Sequence, residues 1–262
     1  MNILDDILRY KKEELKLTKS RIPLPDLKAR IRDMDAVRPF RAAVKRERQG
    51  PVRLIAEVKK ASPSEGIIRE DFDLSAVVSA YERSSAAAIS VLTEGRFFAG
   101  SLEYLGEARR LTLKPVLRKD FIFDEYQVYE TRANHADAVL LIAAALERSQ
   151  LSDLYALACE LSLDCLVEIR TLKELDTALY CGAGIIGINN RDLGTLDISL
   201  KTTFDFLKDI PDDRIVVSES GINTRADIEA LEATRTDAVL VGTAIMKAPD
   251  IEAGIRELTG RE

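Results

Sequence analysis

The sequence predicts an α/β protein built as a closed (β/α)8 barrel, a TIM barrel, with an N-terminal helical extension. Three observations carry that prediction. Eight short runs rich in Val, Ile and Leu punctuate the chain, and each is nearly continuous rather than alternating. That pattern suits strands covered on both faces, as in a parallel sheet. The runs are spaced widely enough for a helix and two loops between neighbours, as βαβ units require. Helical patterns fill the gaps, and the 262 residues match the roughly 250 that one barrel needs. An open doubly wound sheet is the competing architecture. No GxGxxG follows the first run, so a dinucleotide-binding version of it has little support.

The elements follow in order. Met1 to Leu17 carries Ile3, Leu4, Ile7, Leu8 and Leu15 on a helical period. Its acids Asp5, Asp6, Glu13 and Glu14 argue against a cleaved transit peptide. Residues 1–50 are therefore read as an ordered helical extension. It has a helix near Asp5–Lys19, a turn around Ile22–Pro25 and further helix near Phe40–Arg48. The strand runs are Leu54–Lys60, Ala87–Thr93, Pro115–Phe121, Ala138–Ala144, Cys165–Arg170, Ile185–Asn190, Ile215–Ser220 and Ala238–Thr243. Between them, a helix is expected over Leu74–Ser84 behind the cap-like Asp73. Another covers Leu102–Leu111 after Ser101, with Glu103 and Glu107 early and Arg109 and Arg110 late, the order the helix dipole favours. Ser149–Leu161, Leu172–Tyr180, Thr203–Leu207 and Arg225–Glu232 complete the set. The βα period is the only repeat and no low-complexity linker interrupts it, so 1–262 reads as one domain.

Composition bounds the function. A net charge of −6 argues against a general nucleic-acid binder, although a local basic pocket remains compatible with it. Cys159, Cys165 and Cys181 have neither a C-x-x-C pair nor metal-site spacing, and they read as reduced thiols of a cytoplasmic protein. No apolar run reaches the ~18–20 residues of a membrane span. His135 is the only histidine, which removes Ser-His-Asp triads, Cys-His pairs and HExxH zinc sites. It falls at a helix end before a strand, a place for a solvated loop residue. Acid–base work is left mainly to Lys, Glu and Asp.

Barrel active sites form at the C-terminal ends of strands. The first run ends Glu57-Val58-Lys59-Lys60 and continues into Ala61-Ser62-Pro63-Ser64. The third ends Arg118-Lys119-Asp120, the fifth Val167-Glu168-Ile169-Arg170 and the sixth Asn189-Asn190-Arg191-Asp192. The seventh ends Ser218-Glu219-Ser220-Gly221, and the eighth Gly242-Thr243. Alternation puts Glu57 and Lys59 on one face and Val58 on the other. Charges in a strand are costly unless paired or solvated, and a barrel mouth offers both. One such end reads as surface charge on a fraying strand. Recurrence at matching ends of several strands points to a site. Lys119, near a cation such as Lys59 or partly desolvated, would have a lowered pKa and serve as a general acid. Glu168, in a partly apolar mouth, would have a raised pKa and accept a proton. A structural Lys–Glu ion pair fits the same residues, as does a Schiff-base role for Lys119. Ser220-Gly221 and Gly242-Thr243 end strands with small residues. There backbone N–H groups commonly form a barrel's phosphate site.

These residues carry a family resemblance. Leu54-Ile55-Ala56-Glu57-Val58-Lys59-Lys60-Ala61-Ser62-Pro63-Ser64 closely resembles the signature of indole-3-glycerol phosphate synthases. Val91-Leu92-Thr93-Glu94 with Phe97-Phe98-Ala99-Gly100-Ser101 is similar to that family's second strand and loop, and Leu117-Arg118-Lys119-Asp120-Phe121-Ile122 to its third. Ile186-Gly187-Ile188-Asn189-Asn190-Arg191-Asp192-Leu193 and Ser218-Glu219-Ser220-Gly221-Ile222 resemble the sixth and seventh. The helical extension is also a trait of the family. The resemblance implies ring closure, decarboxylation and dehydration of 1-(2-carboxyphenylamino)-1-deoxyribulose 5-phosphate, in tryptophan biosynthesis, with no metal and no organic cofactor. It implies Lys119 as general acid, Glu168 as general base, and Lys59 as the residue that holds the anionic groups and helps expel the hydroxyl. Glu57, Asn189, Arg191 and Glu219 would position substrate and catalytic side chains. Ser62, Ser220, Gly221, Gly242 and Thr243 would line the phosphate end, and Phe98 and Phe121 would wall the anthranilate ring.

Two positions depart from the family pattern. Arg170 stands where the family shows His or Asn two residues after Glu168. Alternation would give it the inward face of Glu168, where it would depress that carboxyl's pKa and weaken a base. Glu65 stands where a basic residue is expected in the first loop, so affinity or loop closure would change. Other readings are a different phosphate-binding barrel enzyme, such as a sugar-phosphate isomerase or a tryptophan synthase α-like lyase. A class I aldolase and a non-catalytic barrel for phosphorylated ligands are the others. The set Glu57, Lys59, Lys119 and Glu168 favours the synthase. The expected partner is a small phosphorylated substrate. Neither nucleic acid nor membrane is expected, and a monomer is the default, with association with other enzymes of tryptophan synthesis left open.

Overall fold

In the computed structural model, residues 3–48, 50–192 and 197–261 are described. Met1 of the amphipathic stretch and Leu193 of the sixth segment lie outside them. Eight parallel strands close into a barrel in chain order. They are β1 (Arg53–Val58), β2 (Ala88–Leu92), β3 (Val116–Lys119), β4 (Ala138–Ile142), β5 (Asp164–Ile169), β6 (Ile185–Asn189), β7 (Ile215–Glu219) and β8 (Ala238–Val241). The ring closes where Arg53 of β1 sits beside Ala238 of β8 and Ala56 beside Val241. Each strand stops one or two residues before its apolar run does. Those last residues already turn out into the loops that carry the polar side chains.

The barrel interior is filled by alternate residues, among them Ile55, Leu117, Leu166, Ile185, Val217 and Leu240. Two-residue periodicity continues that face upward into Glu57, Lys119, Glu168, Asn189, Glu219 and Gly242. One end of the interior is closed by Phe40 and Val44 of α3 (Phe40–Val44), both fully buried. The outward faces of the strands pack under the helices α4 (Leu74–Arg83), α5 (Glu103–Leu111), α6 (Glu125–Ala133), α7 (Arg148–Glu160), α8 (Leu172–Tyr180), α9 (Lys201–Phe206), α10 (Arg225–Glu232), α11 (Thr243–Lys247) and α12 (Ile251–Thr259). Several helices start on side-chain caps. Asp73 accepts from the amides of Ser75 and Ala76, Thr171 from Glu174, and Asp250 from Ala253. Asp124 with Gln127, and Thr224 with Asp227, form reciprocal capping boxes. Each cap is worth about 1 kcal/mol.

The extension differs in detail from the sequence expectation. α1 (Ile3–Arg21) and α2 (Leu24–Arg32) pack on α6 through Leu15, Leu27, Tyr126 and Ala133. The turn expected over Ile22–Pro25 is tighter, because α2 already begins at Leu24. Proline in the first helical turn forfeits no intrahelical bond, so here it begins a helix instead of preventing one. α3 ends at Val44, well short of Arg48. Beyond it, the Arg46 guanidinium donates to the carbonyls of Gly50, Glu232, Thr234 and Thr236 and draws the chain across the barrel base. α6 has no clean apolar stripe to read from sequence. Its buried residues include Gln127, Glu130, Thr131 and Arg132. The enclosed Arg118 satisfies Thr131 and Glu130, donating also to the Gln127 carbonyl and to Asp120, while the Gln127 side chain bonds the backbone of Phe121, Phe123 and Asp124, and Arg132 donates to the Asp35 carbonyl.

Candidate active site

A cavity of about 260 Å³ opens at the C-terminal ends of the strands. Every residue assigned a catalytic or substrate contact above lines it: Lys59, Lys119, Glu168, Glu57, Ser62, Phe98, Phe121, Asn189, Arg191, Glu219, Ser220, Gly221, Gly242 and Thr243. The strands place these side chains on one ring. Lys119 Nζ, from β3, lies 3.0 Å from Glu219 Oε2 on β7 and 3.3 Å from Glu168 Oε2 on β5. Asn189 Nδ2 donates to the other oxygen of Glu168 at 3.0 Å. Asn189 Oδ1 in turn accepts from Ser220 Oγ and from the Arg191 amide. Lys59 Nζ forms a second pair with Glu57 Oε1 at 2.7 Å.

Two glycines make room for these carboxylates. A Cβ on Gly187 would lie 2.1 Å from Glu219 Oε1, and one on Gly242 would lie 2.3 Å from Glu57 Oε1. Gly242 thus has a packing reason that does not depend on phosphate. Ser220 and Gly221 both adopt left-handed backbone, with φ of 68° and 79°. Buried Asn190 holds that strained turn by donating to the carbonyls of Glu219 and Ser220 and to Ser218 Oγ.

The electrostatics correct one expectation. Lys119 was expected to be lowered by neighbouring cations. Burial does press its pKa down, but Glu219, Glu168 and Glu57 outweigh that and raise it. The amine is therefore an ammonium at neutral pH. A Schiff-base nucleophile needs the neutral amine, so this surrounding disfavours the aldolase chemistry. The carboxyl pushed up in the mouth is Glu219, to about 7. Burial is the largest cause and Glu168 adds to it, while Lys119 opposes both. Its Oε1 is buried and makes no hydrogen bond among the described residues.

The two departures resolve differently from their sequence reading. Arg170 does not share the inward face of Glu168. It follows the end of β5, where the chain leaves the strand's alternation, and its guanidinium pairs with Asp192 at 2.8 Å. Glu65 stands at the cavity rim and pairs with Lys247 of α11 at 2.6 Å, which holds its carboxyl below the usual range. An acid at this position ties the first loop to the helix after β8.

Phe98 and Phe121 face each other across one wall with ring centroids 6.1 Å apart. The loop bearing Phe98 is shaped by buried Glu94, which accepts from the amides of Arg96, Phe97 and Phe98. Ile3, Leu4 and Ile7 of α1, in the extension and outside the expected set, line the cavity too. Their helical spacing was visible, but it could not tell a core-facing stripe from one that covers a mouth. α1 is fastened beside the site by Lys11, whose buried ammonium reaches Asp120 at 3.1 Å, next to Lys119. Among the described residues there is no cluster of three or more His, Cys, Asp or Glu that could hold a metal, and no helix long and apolar enough to cross a membrane.

Solved structures of low identity share this fold. KGPDC from Streptococcus mutans superposes with a TM-score of 0.62 at 13% identity, covering 80% of this chain and 96% of that one. A thiamine phosphate pyrophosphorylase from Pyrococcus furiosus gives 0.59 at 19% identity, covering 79% and 93%. Likeness this distant shows the barrel alone. Sequence relatives are much nearer. The chain is 48% identical to an indole-3-glycerol phosphate synthase of Alkaliphilus metalliredigens over 98% of its own length and 97% of the relative's. It is 46% identical to one of Aromatoleum aromaticum over 99% of each. The family description for indole-3-glycerol phosphate synthase matches residues 4–258. With sequence and barrel in agreement over nearly its whole length, the chain belongs to the indole-3-glycerol phosphate synthase family, a family of carboxy-lyases.

Proposed function

We propose that the barrel mouth converts 1-(2-carboxyphenylamino)-1-deoxyribulose 5-phosphate to indole-3-glycerol phosphate, with Lys119, Glu168 and Lys59 handling the protons. The observation that carries this reading is the Lys119 ammonium held between Glu168 and Glu219 and facing the same cavity as the Lys59–Glu57 pair. In the first step the ring carbon that bears the carboxylate attacks the ketone carbon. Negative charge develops on the ketone oxygen, and Lys119 supplies the proton that neutralises it. Loss of carbon dioxide returns the electron pair to the ring and restores aromaticity. The new hydroxyl then leaves as water. Lys59 protonates it, while Glu168 removes the proton that allows the pyrrole double bond to form.

The remaining residues divide by chemistry. Phe98 and Phe121 offer flat apolar surface to the anthranilate ring. Ser220, Gly221, Gly242 and Thr243 belong to the loops after the last two strands, where barrels commonly receive phosphate, and Ser62 would join them from the loop after β1. Glu57, Asn189, Arg191 and Glu219 orient the substrate and the three proton-handling side chains. The reaction draws on a small phosphorylated substrate and on one polypeptide acting as a monomer in the cytoplasm. The test is turnover of that substrate by the purified chain, followed by the fluorescence of the indole product. Product formation supports the reading. Tight substrate binding without any product would replace it with a ligand-binding role.

A further inference from the structure

A second cavity, also of about 260 Å³, lies among Asp35, Arg38, Arg109, Arg110, Arg132 and His135. Arg109 and Arg110 end α5, and Arg132 and His135 sit at the end of α6. In a (β/α)8 barrel the helices run opposite to the strands. These helix ends therefore lie at the base, across the barrel from the catalytic mouth.

Part of this cluster is structural. Arg38 donates to the carbonyls of Arg109, Thr112 and Lys114, and Arg109 to Asp137 and the Ala36 carbonyl. Those bonds dock the linker between α2 and α3 onto the barrel base. They do not use up the cluster. Arg132 Nη2 donates to the Asp35 carbonyl, but its Nη1 faces only the thioether of Met34 at 3.7 Å, a weak acceptor. Exposed Arg110 makes no side-chain hydrogen bond or ion pair among the described residues. Carboxylates and helix ends also face the cluster. The opposing carboxylates are Asp35, Asp137 and, beside Arg38, Glu82, and Asp137 is already occupied by Arg109 and by the amides of Arg38 and Val116. Two helix C-termini add about half a negative charge each.

We propose that this basal cavity binds a phosphate dianion, free or carried as a small phosphomonoester, through Arg110, Arg132 and His135. Planar guanidinium donors in a partly enclosed site match phosphate oxygens better than they match chloride. A site so far from the mouth would sense phosphorylated species without competing with substrate.

The chain carries its own reporter. His135 is the only histidine, so its imidazole proton resonance is unambiguous. Its pKa is held below the ordinary value by burial and by Arg109, Arg132 and Arg110, with Asp35 opposing them. A dianion seated among these guanidinium groups would cancel that effect and raise it. The experiment is an NMR pH titration of His135 in the full-length protein, with inorganic phosphate, with ribose 5-phosphate, and with chloride at matched ionic strength. The expected result is a saturable rise of about half to one unit with both phosphates and not with chloride. Arg110→Ala should weaken the half-saturating concentration at least about fivefold while turnover at the mouth stays unchanged. A markedly tighter response to the ester assigns the site to sugar phosphates, and an equal response assigns it to free phosphate. A shift that is the same in chloride is mere screening and overturns the proposal. So does an Arg110→Ala protein with unchanged phosphate response.

Discussion

Lys119 on β3 reaches across the barrel to Glu219 on β7 at 3.0 Å, and the second oxygen of Glu219 is buried against Gly187 with no hydrogen-bond partner among the described residues. A carboxylate left half satisfied beside an ammonium is poised between charged and neutral forms. Its environment decides the pH behaviour of the mouth. It also makes one glycine in the neighbouring strand sterically indispensable.

The pH dependence follows from the sign of the Glu219 shift. Its folded pKa, about 7, lies above the ordinary 4.5, so the folded state holds this proton more tightly than the unfolded chain. Its contribution to stability is full below about pH 4.5 and is lost as pH rises through about 7. The total is at most about 3 kcal/mol. Glu219→Gln should flatten the stability difference between pH 4.5 and 7 relative to wild type, as urea unfolding at several pH values would show. Parallel curves for the two proteins would place the titration elsewhere.

Gly187→Ala puts a methyl group 2.1 Å from Glu219 Oε1. The carboxylate must shift, which disturbs the contact its other oxygen makes with Lys119. Turnover should fall by about 10²-fold or more, with a cost in stability of about 1–3 kcal/mol from overpacking. Steady-state kinetics and thermal melts read both. Normal turnover would mean that Glu219 need not sit where it does.

The Lys11–Asp120 pair joins the extension to the strand that carries Lys119. Asp120 is held down to about 2: burial opposes ionisation, and Lys11, Arg118 and Thr93 overcome it. Its stabilising contribution is present above pH 3.8 and disappears as pH falls toward 2. Lys11→Met leaves Asp120 with Arg118 but without its second cation. The loss should be about 3 kcal/mol, the low end for breaking a buried pair, with turnover reduced through displacement of Lys119. Chemical denaturation and kcat at one pH check this.

Arg170 spends its charge on Asp192. Both partners are about one-third exposed, so the pair contributes no more than about 1 kcal/mol. Arg170→Asn should keep turnover within about twofold of wild type or slightly above it. A large loss in kcat would show that Arg170 works on the substrate after all.

The barrel was legible because its strands are continuous apolar runs, a signal that survives without knowledge of partners. The ring of mouth residues was legible because alternation alone aligns Glu57, Glu168 and Glu219 with the interior. What stayed hidden depends on tertiary partners. α6 buries Gln127, Glu130 and Thr131 against Arg118, and no linear pattern announces a polar buried face. The direction of the Lys119 shift reversed because sequence shows that Lys59 is near but not that two carboxylates are nearer. Arg170 left the face assigned to it because alternation holds only while the strand continues, and β5 ends at Ile169. The extension's contribution of Ile3, Leu4 and Ile7 to the mouth required knowing where α1 docks.

In the proposed reaction Lys119 drives ring closure and Glu168 acts later. Single-turnover reactions with substrate labelled in the carboxylate would separate the two steps by comparing release of labelled carbon dioxide with appearance of indole fluorescence. Lys119→Ala should slow both together by about 10²–10⁴-fold, because nothing leaves before the ring closes. Glu168→Gln should release carbon dioxide faster than it forms indole product. If Glu168→Gln loses both signals equally while Lys119→Ala still releases carbon dioxide, the two residues have been given each other's roles.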